Sequence, residues 1–211
     1  MLSPWEPGAS SPQDALDRLV AGNRRFLDAA ESTARRSWSE QLAGQGQQPF
    51  AIVLGCSDSR TPVEIVFDQG FGDLFVVRIA GNIVAPSVVG SIEFAASQFG
   101  SRLVVVMGHT RCGAVTATVQ AIQTGHGPES KNIRSITDRI APHIEGLLKP
   151  GHSEHVLHDA VRANVRASAD HLRHGSRILE EMVIAGRLAI VGAEYDLDTG
   201  AVNFFDGVPL V

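Results

Sequence analysis

Cysteine is scarce: the 211 residues include two, Cys56 and Cys112. At most one disulfide can form, so a disulfide-stapled secreted scaffold is excluded and a reducing compartment, the cytoplasm, is the expected location. A basic excess is missing too. The 18 Lys and Arg stand against 23 Asp and Glu, a formal net charge of −5. That balance provides no broad cationic face to displace counterions from nucleic acid. The start, Met1-Leu2-Ser3-Pro4-Trp5-Glu6-Pro7, has no basic segment followed by an apolar stretch, as a secretory leader would. No apolar run approaches the ~20 residues of a membrane-spanning helix. Neither a nucleic-acid partner nor a membrane is expected, and no internal repeat of useful period is visible.

What is present suits one sizeable unit with a buried core. Ser11-Pro12-Gln13-Asp14 reads as a helix start: a serine cap, a proline in the first turn and an acid three residues on. Leu16, Leu19, Val20 and Phe26 continue it at helical spacing. Residues 1–49 are therefore read as an N-terminal helical arm, irregular over 31–49, and residues 50–211 as an α/β catalytic domain, the two forming one structural unit. From Phe50 the texture changes to short apolar runs at 50–54, 74–77, 103–107 and 188–191, as expected of strands buried on both faces. Helical stretches at 87–99, 114–122 and 155–185, the last broken at His174-Gly175-Ser176, lie between or after them. Such alternation predicts an α/β fold with a mostly parallel sheet of about four strands and flanking helices. The turn residues Asp196-Leu197-Asp198-Thr199-Gly200 predict a hairpin that adds an antiparallel edge strand.

Both cysteines stand at the ends of apolar runs. Cys56-Ser57-Asp58-Ser59-Arg60 follows the first run, and His109-Thr110-Arg111-Cys112 follows the third. Two thiols and an imidazole make a soft donor set of three, which suits zinc and leaves a fourth tetrahedral position open. In an open α/β sheet, ligands gather beyond the carboxyl ends of the strands, and the three donors meet there if the two strands are neighbours. A buried free cysteine is often only a small apolar residue, and His109-x-x-Cys112 alone is weak. Asp58 and Arg60 alter the balance, because in an extended segment they share the side-chain direction of Cys56 and can form a bidentate pair at the metal's edge. A phosphatase-type thiol loop is set aside: it needs five residues between cysteine and arginine, here there are three, and Asp58 would repel phosphate.

These residues resemble the β-class carbonic anhydrases. Cys56-Ser57-Asp58-Ser59-Arg60 and Gly108-His109-Thr110-Arg111-Cys112-Gly113 carry the likeness. Phe67-Asp68-Gln69-Gly70, Phe75-Val76-Val77-Arg78, Ala80-Gly81-Asn82, Gly90-Ser91-Ile92-Glu93-Phe94-Ala95 and the helical Gly22-Asn23-Arg24-Arg25-Phe26 extend it over most of the chain. The resemblance implies that Cys56, His109 and Cys112 bind Zn2+ and that Asp58 and Arg60 form a catalytic dyad. Asp58 then has two positions, paired with Arg60 or swung inward as a fourth ligand that blocks the reaction. Gln47, followed by Pro49, matches a glutamine that in one subgroup bonds bicarbonate across a subunit interface. Phe75, Phe94 and Gly113 join it as substrate-lining candidates. The other subgroup places a tryptophan where this chain has Val53, so its effector site, which also uses an arginine that Arg78 matches, is not expected. Phe94 stands where many relatives have a tyrosine.

The expected activity is zinc-dependent, reversible hydration of carbon dioxide to bicarbonate and a proton, in a homodimer or homotetramer. Zinc lowers the proton affinity of its bound water, giving a hydroxide that attacks carbon dioxide. Two alternatives remain open: hydrolysis of carbon disulfide or carbonyl sulfide at the same centre, and a non-catalytic zinc or redox module. His152, His155 and His158, three apart, are read as surface residues and stay outside the site.

Overall fold

The structure is a computed structural model that describes residues 11–28, 47–148 and 155–208. Five strands form one sheet: β1 (Ala51–Gly55), β2 (Leu74–Arg78), β3 (Leu103–His109), β4 (Ala189–Tyr195) and β5 (Val202–Asp206), in the order β2-β1-β3-β4-β5. The first four run parallel, and β5 pairs antiparallel with β4 through the expected hairpin. Every residue of β1 and β3 is buried, which is why these central strands read as unbroken apolar runs: helices cover both sheet faces.

Seven helices accompany the sheet among the described residues: α1 (Pro12–Leu27), α2 (Val63–Val66), α3 (Pro86–Phe99), α4 (Gly113–Thr124), α5 (Lys131–Ile144), α6 (Val156–His174) and α7 (Arg177–Ile184). Side chains alternate along the strands. Ile52, Leu54, Val104 and Val106 therefore pack under α3, α6 and α7, while Val53, Val105 and Met107 face α1 and the Val66-Phe67 segment. The break between α6 and α7 falls where the sequence places it, with the Ser176 hydroxyl accepting the Leu179 N–H at 3.2 Å. No helix among the described residues is long and apolar enough to cross a membrane.

The capping box at Ser11 and Asp14 starts α1, whose Ala15, Leu16 and Leu19 join the same core as β1, β3 and β4. The irregular connection expected over 31–49 lies, up to residue 46, outside the described residues. One buried side chain ties α1 to two distant segments: Asn23 donates to the Val66 and Gly200 carbonyls and accepts from the Val202 N–H. Gly22 sets the approach, since a Cβ there would lie 1.9 Å from the Phe67 carbonyl oxygen, a rigid backbone atom. Gly22→Ala is expected to destabilise the fold by about 1–3 kcal/mol through overpacking. A domain of this size loses about 2–4 °C of melting temperature per kcal/mol. A thermal melt superimposable on the parent's would show that α1 docks differently.

Candidate metal centre

Parallel pairing of β1 with β3 sets Gly55 beside Met107, so Cys56, just past β1, and His109, the last residue of β3, emerge at the same sheet edge. Arg111 at φ 58° turns the chain back, and Cys112 becomes the N-cap of α4. One ligand atom from each of Cys56, His109 and Cys112 lies within 4.8 Å of the others, and all three residues are buried. The sulfurs are 4.0 Å apart and unbonded. Two bonds of ~2.3 Å at a tetrahedral angle put sulfurs about 3.8 Å apart, so the pair suits a shared ion.

The imidazole is prepared for the same role. His109 Nδ1 lies 2.9 Å from the Thr110 carbonyl. A carbonyl only accepts, so Nδ1 carries the proton and the Nε2 lone pair is free. Nε2 is buried with no hydrogen-bond partner, a costly arrangement unless something electrophilic fills it.

Neighbouring backbone groups favour thiolate. Gly81 N–H points at the Cys56 sulfur from 3.4 Å, and the amides of Val115 and Ala114, at the start of α4, act on Cys112. The contact with Cys112 pulls the Cys56 thiol well below its ordinary range, outweighing burial. The same contact, reinforced by burial, pushes Cys112 up. A divalent ion binds the two sulfurs as thiolates, so its binding is coupled to proton release.

Asp58 and Arg60 do pair, but not on an extended segment. The strand ends at Gly55, and residues 58–61 make a tight turn closed by Thr61 N–H to the Asp58 carbonyl at 3.1 Å. The expectation of a strand period fails because the Asp58 carboxylate captures the Arg60 backbone N–H at 2.9 Å, an alternative that short acidic side chains offer the backbone. The Arg60 guanidinium then forks onto it, Nε to Oδ1 at 2.9 Å and Nη2 to Oδ2 at 2.7 Å. These hydrogen bonds hold the Asp58 carboxyl far below the usual carboxylate range. Its Oδ2 lies 3.9 Å from His109 Nε2, beside the three donors and turned toward Arg60.

Sequence reasoning missed a second clamp. Arg78 ends β2 opposite Gly55, and its guanidinium donates to the carbonyls of Cys56 at 3.0 Å and Asp58 at 2.6 Å. The signal was the strand order, since a residue ending the strand next to β1 must stand beside the Cys56 loop. Gly113 adjoins Cys112 at the first residue of α4, with open space over its Cα. Gln47, Phe75 and Phe94 are not brought to the three donors. Gln47 is exposed, Phe75 packs on Phe99 with ring centroids 6.1 Å apart, and Phe94, 54% exposed, meets the edge of Phe99 at 5.4 Å. Of the spaced histidines, His158 Nε2 lies 3.2 Å from buried Glu194, and His152 lies outside the described residues.

A parallel-cored α/β sheet with two thiols and an imidazole converging at its carboxyl edge, where they could hold a metal ion, and with a carboxylate paired to an arginine beside them, is the arrangement of the β-carbonic anhydrase class. The family profile described as carbonic anhydrase matches residues 51–202, and the chain belongs to that family. It is 40% identical over 196 residues to the carbonic anhydrase of Mycolicibacterium smegmatis, covering 92% of this chain and 93% of that one. To carbonic anhydrase 2 of Mycobacterium tuberculosis it is 37% identical over 200 residues, covering 94% and 95%. Among solved structures, a tetrameric β-carbonic anhydrase of the ascomycete Sordaria macrospora superposes with a TM-score of 0.67 at 24% identity, covering 78% of this chain and 84% of that one.

Proposed function

We propose that the chain catalyses the zinc-dependent, reversible hydration of carbon dioxide to bicarbonate and a proton, with Cys56, His109 and Cys112 as the zinc ligands and Asp58 with Arg60 as the working dyad. The carrying observation is the unpartnered, buried Nε2 of His109, 3.9 Å from the Asp58 carboxylate, on an imidazole that brings a ring nitrogen within 4.8 Å of two free sulfurs. Zinc bound there supplies the Lewis acidity that brings proton loss from water toward neutral pH.

The remaining work belongs to the chain. Ionised Asp58 presents an acceptor oxygen at the edge of the site, able to orient a lone pair of the attacking oxygen toward the substrate carbon. Arg60 occupies both carboxylate oxygens and so restrains Asp58 from swinging in as a fourth ligand. Arg78 fixes the backbone on either side of this turn. Because the Asp58 pKa is depressed, the carboxylate is charged above the acid range and its titration does not shape activity near neutrality. Two thiolates donate more charge than imidazoles, so activity is expected to rise toward alkaline pH.

Gln47, Phe75 and Phe94 fit a substrate role only if a second copy brings them to a neighbouring site, as the family resemblance implies for Gln47. We take the working unit to be a homodimer or a homotetramer made of two such dimers, placed in the cytoplasm. The test is stopped-flow carbon dioxide hydration with a pH indicator across pH, with zinc quantified in the same sample. Rates should track zinc content and climb with pH. A zinc-loaded protein inert toward carbon dioxide at every pH would refute the reading, in favour of carbon disulfide or carbonyl sulfide hydrolysis if either is turned over, and of a non-catalytic module if neither is.

A further inference from the structure

Thr110, between two proposed ligands, makes three backbone or side-chain contacts that converge on one effect. Its N–H donates to the Tyr195 carbonyl at 3.0 Å, at the end of β4. Its Oγ1 accepts the Leu197 N–H at 3.0 Å, from the turn between β4 and β5. Its own carbonyl is the group that receives His109 Nδ1 at 2.9 Å. Next to it, Arg111 adopts the left-handed conformation at φ 58°, disfavoured for a residue with a long side chain. Arg111 also reaches the same hairpin, its Nη2 donating to Asp198 Oδ1 at 2.6 Å. The turn is itself rigid: Asp196 Oδ1 accepts the Asp198 and Thr199 amides at 2.7 and 3.0 Å.

We infer that Thr110 is a positioning residue for the metal-binding imidazole: the β4–β5 hairpin grips its N–H and hydroxyl, and the carbonyl so fixed keeps the His109 proton on Nδ1 and the Nε2 lone pair toward the metal. The inference rests on reading Cys56, His109 and Cys112 as a zinc centre. Its physical content is that Thr110 is held through its N–H and its hydroxyl, and Arg111 on the far side of the Thr110 carbonyl is tied to the same hairpin, which leaves little freedom to turn that carbonyl away from the ring. Partners of this kind orient a metal-bound histidine, and losing one costs about 10–100-fold in metal affinity. Helix α1 extends the frame, because Asn23 holds the Gly200 carbonyl and the Val202 N–H at the other end of the turn.

The test compares Thr110→Val with Thr110→Ser in the full-length, zinc-loaded protein. Valine keeps the branched shape and removes the acceptor for Leu197 N–H; serine keeps the acceptor. Zinc transfer to a chromogenic chelator should be about tenfold faster for Thr110→Val and within about twofold of the parent for Thr110→Ser. In nitrogen-15 spectra of the zinc form, the His109 Nδ1 proton should exchange faster with solvent in Thr110→Val and stay protected in Thr110→Ser. If the valine variant does not fold, Thr110→Ala, which leaves room for water at Leu197 N–H, takes its place with the same expected direction. Parent-like zinc release and Nδ1 protection without the hydroxyl would overturn the inference, and so would a serine variant as defective as the valine one. A parent that never takes up one zinc per chain would instead refute the zinc reading, which separates the two failures.

Discussion

Cys56→Ser is expected to lose zinc and, with it, essentially all carbon dioxide hydration. A hydroxyl is a harder, shorter donor and stays protonated where a thiol beside Cys112 ionises readily. The replacement thus removes both the charge and the reach of one of three ligands. Structural zinc sites are worth about 10–16 kcal/mol, so a share of that lost with one thiolate should weaken binding by roughly a thousandfold or more. The fold should persist, because Cys56 lies after β1 and outside the two cores that clamp the sheet, at the margin of a separate cluster with Ile83, Cys112 and Val115. Elemental analysis of the purified variant and its hydration rate measured on one sample decide the point. One zinc per chain with parental activity in Cys56→Ser would remove this residue from the metal centre.

That result is anticipated from letters alone because the three donors are visible as side chains next to recognisable strands. The runs at 50–54 and 103–107 show in the sequence because both are buried on both faces, and their parallel pairing is what brings Cys56 to His109. The hairpin shows through its turn residues. Helix α5 does not, since it is largely polar and contains Pro142, and its burial is confined to Thr137, Ile140 and Ile144. Helix α2, four residues long, leaves no periodicity to read. The site follows the same division. Residue types reveal the donors and the Asp58-Arg60 pair, whereas the turn that sets that pair's geometry depends on a backbone N–H. Arg78 acts on two carbonyls, and Thr110 meets the Tyr195 carbonyl with its N–H and the Leu197 N–H with its hydroxyl. Backbone partners twenty or more, or over eighty, positions away carry no signature of their own in the sequence, and only the strand order places them.

Asp58→Asn is expected to keep zinc and lose most of the activity, about a hundredfold or more, the scale usual for a positioned acid or base. The amide is nearly isosteric, and its oxygen can still accept the Arg60 backbone N–H and Nε that now meet Oδ1 at 2.9 Å. Its NH2 then falls where Oδ2 stands, facing the Arg60 Nη2 donor at 2.7 Å and lying 3.9 Å from His109 Nε2. At the edge of the metal site a donor replaces an acceptor, and the fork to Arg60 loses one of its arms. Because none of the three ligands changes, zinc content should match the parent's, which distinguishes this loss from that of Cys56→Ser. The parent carboxylate is ionised throughout the neutral range, so a dyad in which Asp58 accepts a hydrogen bond from the attacking O–H group predicts a uniform fall in rate across pH and no shift of the profile. Stopped-flow rates across pH on zinc-quantified protein test both features together. Parental rates would mean that the Asp58-Arg60 pair shapes the loop and takes no part in the chemistry.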